Sequence, residues 1–181
     1  MKIFIGILIV LIVILVYLFN RLVSLRNMLK EAASGIDVQL KRRYDLVPNL
    51  ISTVKGYAGH EKGLFEKVAA VRADCLKTQV LSDKTGLENQ LAAGIDRLIA
   101  VAENYPELKA GENFLKLQKD LFEIEDNIQY ARRYYNAVVR DFNNIVETFP
   151  GLLVAGVFGF KRETFFELKE AAEREAVAAK F

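Results

Sequence analysis

Apolar residues follow two patterns along the chain. The first is a block: residues 3–19 read IFIGILIVLIVILVYLF, with no charge between Lys2 and Arg21. As a helix this block rises roughly 26 Å, near the lower limit for crossing a bilayer's hydrocarbon core. The second is a stripe. At about 100° per residue, Leu22, Leu25, Leu29, Ala32, Ala33, Ile36, Leu40, Val47, Leu50, Ile51, Val54, Tyr57 and Ala58 fall on one side of a helix, interrupted by Gln39 and Arg43. The phase passes Pro48 without a break, so the spacing predicts one rod that leaves the apolar block and stops near GYAGHEKG.

Three more helices follow by the same criterion. Residues 60–78 place Leu64, Val68, Val71 and Cys75 on one face, and VLSDKTG then reads as a polar turn. Residues 86–104 repeat the spacing with Leu87, Leu91, Ile95, Leu98 and Ala102, and YPELKAGEN supplies punctuation. In residues 106–148, Phe114, Leu117, Leu121, Ile124, Ile128, Ala131, Tyr135, Val138, Phe142 and Ile145 alternate steps of three and four. That is the seam of a coiled coil or an antiparallel bundle. Strand patterns are scarce. The predicted fold is all-α: an N-terminal transmembrane helix continuing into an antiparallel up-and-down bundle of four main helices plus a C-terminal helix. Residues 1–20 are the anchor and 21–181 the bundle domain, with 149–160 an apolar membrane-proximal segment and 161–181 the last helix.

The block reads as an uncleaved signal anchor, because it exceeds a signal peptide's usual apolar length and NRLVSLRNMLK follows without a small-x-small site. Lys2 alone precedes it, whereas Arg21, Arg26 and Lys30 follow, so the positive-inside bias predicts a single-pass protein of the bacterial inner membrane, N-terminus out and bundle cytoplasmic. Setting Lys2 aside from 25 basic residues leaves 24 against 23 acidic ones, and no basic field recommends nucleic acid. Cys75 is the lone cysteine, which excludes an internal disulfide and suits a small buried hydrophobe.

Candidate chemistry is sparse. No Gly-rich phosphate loop, HExxH or GxSxG occurs. His60 stands alone beside Glu61, short of the three or four ligands of a metal site. Glu103, Glu107, Glu112, Glu123, Glu125 and Asp126 lack the Glu-x-x-His partner of a di-metal bundle. Arg132, Arg133 and Arg140, alternating with Tyr130, Tyr134 and Tyr135, read as a solvated face. No catalytic residue, metal, cofactor or small-molecule substrate is expected.

Two segments call for explanation. In KRRYDLVPNL, Arg43 lies near the midline of the apolar stripe, and a buried cation needs a partner. Counting down two antiparallel helices from a shared distal end sets Arg43 level with Glu125, so an Arg43–Glu125 pair that fixes register is expected; the alternative is an arginine that snorkels outward. Pro48 lies opposite the stripe and leaves the Tyr44 carbonyl without its donor, which predicts a kink. FPGLLVAGVFGF, residues 149–160, is uncharged but too short to span a bilayer. Phe149, Leu152, Leu153, Val154, Val157, Phe158 and Phe160 either dock at the lipid interface, with Lys161 and Arg162 at anionic headgroups, or cap the bundle core.

The order of QLKRRYDLVPNL, VKGYAGHE, AVRA, AENYPELKA, FLKLQKDLFEIEDNIQYARRYYNAVVRDFNN and FPGLLVAGVFGF behind a near-N-terminal anchor resembles the LemA family of bacterial proteins. The resemblance covers essentially the whole chain, less closely after Phe166. It implies a single-pass membrane protein with a cytoplasmic helical bundle and no catalytic residues to carry over. Some relatives take part in forming or remodelling intracellular membranes in magnetosome-making bacteria, which implies membrane organisation. The expected function is a membrane-anchored, non-enzymatic scaffold whose partners are the lipid bilayer and either further copies of itself or other membrane proteins. The alternative is an accessory or regulatory subunit of a membrane protease or cell-envelope machine. The anchor holds Gly6 but no GxxxG pair.

Overall fold

The longest helix, α1, runs unbroken from Lys2 to Lys55, about 80 Å at 1.5 Å per residue. From Ile3 to Tyr17 its large side chains are apolar on every side and exposed, from 41 % at Ile14 to 81 % at Ile3, and Leu18 and Phe19 are half-buried. A helix of that length and composition can cross a bilayer. From Leu22 onward burial becomes periodic, as the stripe requires.

The computed structural model describes residues 1–78 and 81–166. After α1 come α2 (Lys62–Lys77), α3 (Leu81–Glu103), α4 (Pro106–Lys109), α5 (Glu112–Glu147) and α6 (Gly151–Phe158). No strand occurs among the described residues. Two boundaries differ from expectation. Residues 81–86, read as a turn, are helical, because polar residues suit a first helical turn as well as a loop. The long fourth helix is divided: α4 is a single turn and α5 starts afresh at Glu112. Gly111, a costly residue inside a helix, lies in the gap and bonds back to the Leu108 carbonyl at 3.0 Å.

The chain divides into two compact units. One comprises Met1–Gln39 and Asn127–Phe165. Its core takes Leu22, Leu25, Leu29, Ala32 and Ile36 from α1, Ile128, Tyr135, Val138, Val139, Phe142 and Val146 from α5, and Val154 and Ala155 from α6. Each fully buried Leu or Ile contributes about 1.5–3 kcal/mol. The turn from α5 into α6 depends on Gly151, where a β-carbon would stand 2.2 Å from the Ile145 carbonyl oxygen. Gly159 ends α6 at φ 72°, and the Phe160 N–H closes the last turn on the Ala155 carbonyl at 2.9 Å.

Residues 161–166 are not helical. Asn143 explains this: its amide donates to the Glu163 carbonyl and accepts from the Glu163 N–H, both at 2.9 Å. Tyr135 Oη adds a bond to the Thr164 carbonyl at 3.2 Å. Backbone engaged by side chains of α5 in this way is not available to an intrahelical ladder. The rest of the expected C-terminal helix, 167–181, lies outside the described residues.

The other unit contains Leu40–Asp126. The end of α1 contributes Leu40, Tyr44, Val47, Leu50 and Val54; α2 adds Phe65, Val68 and Cys75; α3 adds Leu91, Ile95, Leu98 and Ala102; α5 adds Phe114, Leu121 and Ile124. Tyr57, expected on the stripe, is 50 % exposed because α1 has already ended.

Candidate functional site

Arg43 is 2 % exposed. Its Nη1 donates to Glu125 Oε2 at 2.8 Å, so the structure brings together the two residues that the register argument paired. The snorkelling alternative does not occur. Its Nη2 donates to Glu88 Oε2, a partner absent from the sequence reading. Glu88 is the deeper acid: its side chain is fully buried, whereas that of Glu125 is 40 % exposed. Tyr44, the next residue on α1, donates its hydroxyl to Glu88 Oε1. Both carboxylate oxygens of Glu88 therefore carry a donor, which is what lets an acid remain in a core.

A sequence signal for Glu88 existed. Glu88, Leu91, Ile95, Leu98 and Ala102 alternate steps of three and four, a more regular seam than the one begun at Leu87. In the structure Glu88 is buried and Leu87 only half-buried. The same holds for Arg132, expected on a solvated face: it lies four residues after Ile128 and three before Tyr135, and it is buried. Arg133 and Arg140 are exposed, Arg133 lying 4.6 Å from the Tyr130 ring centroid and Arg140 pairing with Asp141 at 3.0 Å.

Pro48 is exposed within α1 and cannot donate to the Tyr44 carbonyl. Arg72 of α2 takes over that role, its Nε donating to the Tyr44 oxygen at 2.6 Å. The proline thus opens an acceptor on one helix and a neighbouring helix closes it. Arg43, Tyr44, Arg72, Glu88 and Glu125 link α1, α2, α3 and α5 through polar contacts inside an otherwise apolar core.

The electrostatics favour a lock over a reactive centre. Burial, followed by the hydrogen bond to Glu88 and its charge, raises the Tyr44 phenol well above its ordinary range. Burial first, and the Glu88 charge second, push the Cys75 thiol up to about 12. A nucleophile needs its anion near neutral pH, and both groups hold their protons there. A groove of about 200 Å³ opens beside the pair, lined in part by Arg43, Ile95, Ile99, Leu121, Phe122 and Glu125. It is smaller than the roughly 300–1,000 Å³ of ordinary small-molecule sites.

Elsewhere, His60 is exposed in the turn after α1, and Glu103, Glu107, Glu112, Glu123 and Asp126 are exposed. Among the described residues, no group of three His, Cys, Asp or Glu is placed to hold a metal. Residues 149–160 divide by face: Val154 is buried and Phe160 half-buried, whereas Phe149, Leu152, Leu153, Val157 and Phe158 are exposed. Phe158 packs on Phe19 with ring centroids 4.6 Å apart, and Phe160 lies 6.0 Å from Phe19 and 6.3 Å from Phe142.

A family model, the LemA family, matches residues 32–181, most of the chain and both sides of the Arg43 network. The chain belongs to the LemA family. Among its relatives are magnetosome protein MamQ 2 of Paramagnetospirillum magneticum, 24 % identical, and MamQ of Magnetospirillum gryphiswaldense, 22 % identical; each alignment covers 86 % of this chain and 66 % of the relative. Protein LemA of Metamycoplasma hominis is 27 % identical over 83 % of this chain and 69 % of its own length. The chain thus spans just under two thirds of the magnetosome relatives. None of these names describes an enzyme. This LemA-family chain is a membrane-associated helical protein with one candidate transmembrane helix among the described residues.

Proposed function

We propose that the protein is a non-enzymatic, membrane-held helical scaffold that self-associates at the cytoplasmic surface of the bacterial membrane, with the bilayer and further copies of itself as partners. The observation that carries this reading is the second face of α5. Opposite its buried seam, Leu115, Phe122, Tyr130 and Tyr134 remain 47–66 % exposed, on an arc of roughly 120° at the helical step. Large apolar and aromatic side chains left outside a core suit an interface with another chain. Continuity of α1 supports the membrane-held part, since one helix carries both the apolar block and the bundle's stripe. Orientation rests on Arg21, Arg26 and Lys30 following the block. The magnetosome names of two relatives support a role in membrane organisation.

The groove beside Phe122 supports a second reading, an accessory subunit of a membrane protease or cell-envelope machine that accepts a client's side chain there. Light scattering of the full chain in detergent micelles separates the two. A scaffold gives a concentration-dependent oligomer that Phe122→Glu dissociates while helicity is kept. An accessory stays monomeric until its client is added, and that result would overturn self-association.

A further inference from the structure

We infer that α6 is a second membrane-contact element, whose exposed face of Leu152, Leu153 and Val157, with Phe149 just before the helix, inserts into the interfacial layer of the bilayer that α1 enters. The inference rests on reading residues 3–19 as the membrane span.

Burial shows a helix with two roles. Gly151, Val154 and Ala155 are buried and hold α6 to its unit. Its other side leaves Phe149 and Val157 79 % exposed, Leu153 60 % and Leu152 52 %. Capping the core is therefore only half of what this segment does. Neither α6 nor its flanks between Thr148 and Phe160 carries a charged residue, so the outward side cannot serve as an ordinary solvated face.

Continuity identifies the occupant. Phe158 packs 4.6 Å from Phe19, the last residue of the apolar block. Within this unit residues 3–17 are exposed and Leu18 and Phe19 are half-buried, so α6 adjoins the point where the exposed surface of the block ends. Lipid covering the block up to Phe19 meets α6 next. The residues just beyond are basic: Arg21, Lys161 and Arg162 are exposed, with Arg162 lying 3.5 Å from Glu147. An eight-residue helix with an apolar face and flanking cations suits the depth where acyl chains give way to headgroups. A second copy of the chain is the competing occupant.

The chain contains no tryptophan, so a single introduced one is an unambiguous probe. Leu153→Trp and Val157→Trp are placed separately in the full chain, reconstituted into phosphatidylcholine–phosphatidylglycerol vesicles with lipids brominated near the headgroup end of the acyl chains. Val13→Trp reports the span and Tyr57→Trp an exposed turn. The expected result is blue-shifted emission at both α6 positions, quenched by bromolipid at least about twofold more than Tyr57→Trp. Quenching at Val13→Trp without quenching at α6 would overturn the inference while leaving the span intact. Loss of quenching at Val13→Trp as well would overturn both. Emission shielded from bromolipid and from aqueous iodide, with the shielding lost on dilution into excess lipid, would assign the face to a second copy and equally overturn lipid contact.

Discussion

Removing the Arg43 guanidinium strands two acids of unequal depth, and the inequality sets the expected energetics. Arg43→Met leaves the fully buried Glu88 without its cation and costs about 3–5 kcal/mol of unfolding free energy, whereas Glu125→Gln at the 40 % exposed partner costs under about 1 kcal/mol. Combining Arg43→Met with Glu88→Gln should recover part of the loss; urea denaturation in micelles measures all three, and a Glu125→Gln cost equal to that of Arg43→Met would contradict the network. Arg72 and Pro48 form a second coupled pair. Arg72→Ala is expected to cost about 1–3 kcal/mol by leaving the Tyr44 carbonyl without a donor. In a Pro48→Ala background the restored N–H at position 48 serves that carbonyl, so the same change costs less; additivity in the double-mutant cycle would refute the compensation.

Cys75 makes the stability of the fold sensitive to alkaline pH. A thiol raised from 9.0 to about 12 in the folded chain stays protonated while the unfolded chain ionises. Its contribution is therefore complete below about pH 9 and declines as pH rises toward 12, at about 1.4 kcal/mol per pH unit. Tyr44 acts in the same direction above about pH 10. Cys75→Ala should flatten the alkaline limb of a stability profile; an unchanged slope between pH 9 and 11 would show that the thiol is not held neutral.

Among elements, α6 depends most on a single small residue. Gly151→Ala drives a methyl into the Ile145 carbonyl and should detach α6 from its unit, which limited proteolysis would detect as new cleavage at Lys161 and Arg162. Asn143→Ala removes both bonds to Glu163 and predicts the same cleavage with α6 still docked. The elements themselves were largely legible in the sequence, since α1, α2, α3 and α5 each carry a stripe that burial follows. Where the reading fell short, tertiary contacts decided. Arg132 reads as solvated by its polarity and Glu88 is not singled out by any motif, yet both occupy seam positions where packing keeps them buried. Residues 161–166 look helical by composition, yet Asn143 and Tyr135 claim their backbone. The break at Gly111 was marked by the glycine, although the unbroken period of the downstream seam concealed it. The depth of Arg43 was legible because a lone cation on an apolar midline requires an acid, but its main acid lies on α3, which antiparallel counting between the first and last long helices does not reach.

Across the whole molecule, the proposal is that association at a membrane is the function and that the buried polar network serves it by specifying how the helices align. The exposed arc of α5 is where this becomes measurable. The most direct measurement is photo-crosslinking in living cells from a diazirine side chain at position 122 or 130, with position 66 on α2 as an exposed control. The account predicts an adduct at twice the mass of the chain, joined through α5, from 122 and 130 but not from 66. Adducts only with a different protein, or no self-adduct above the control, would contradict it.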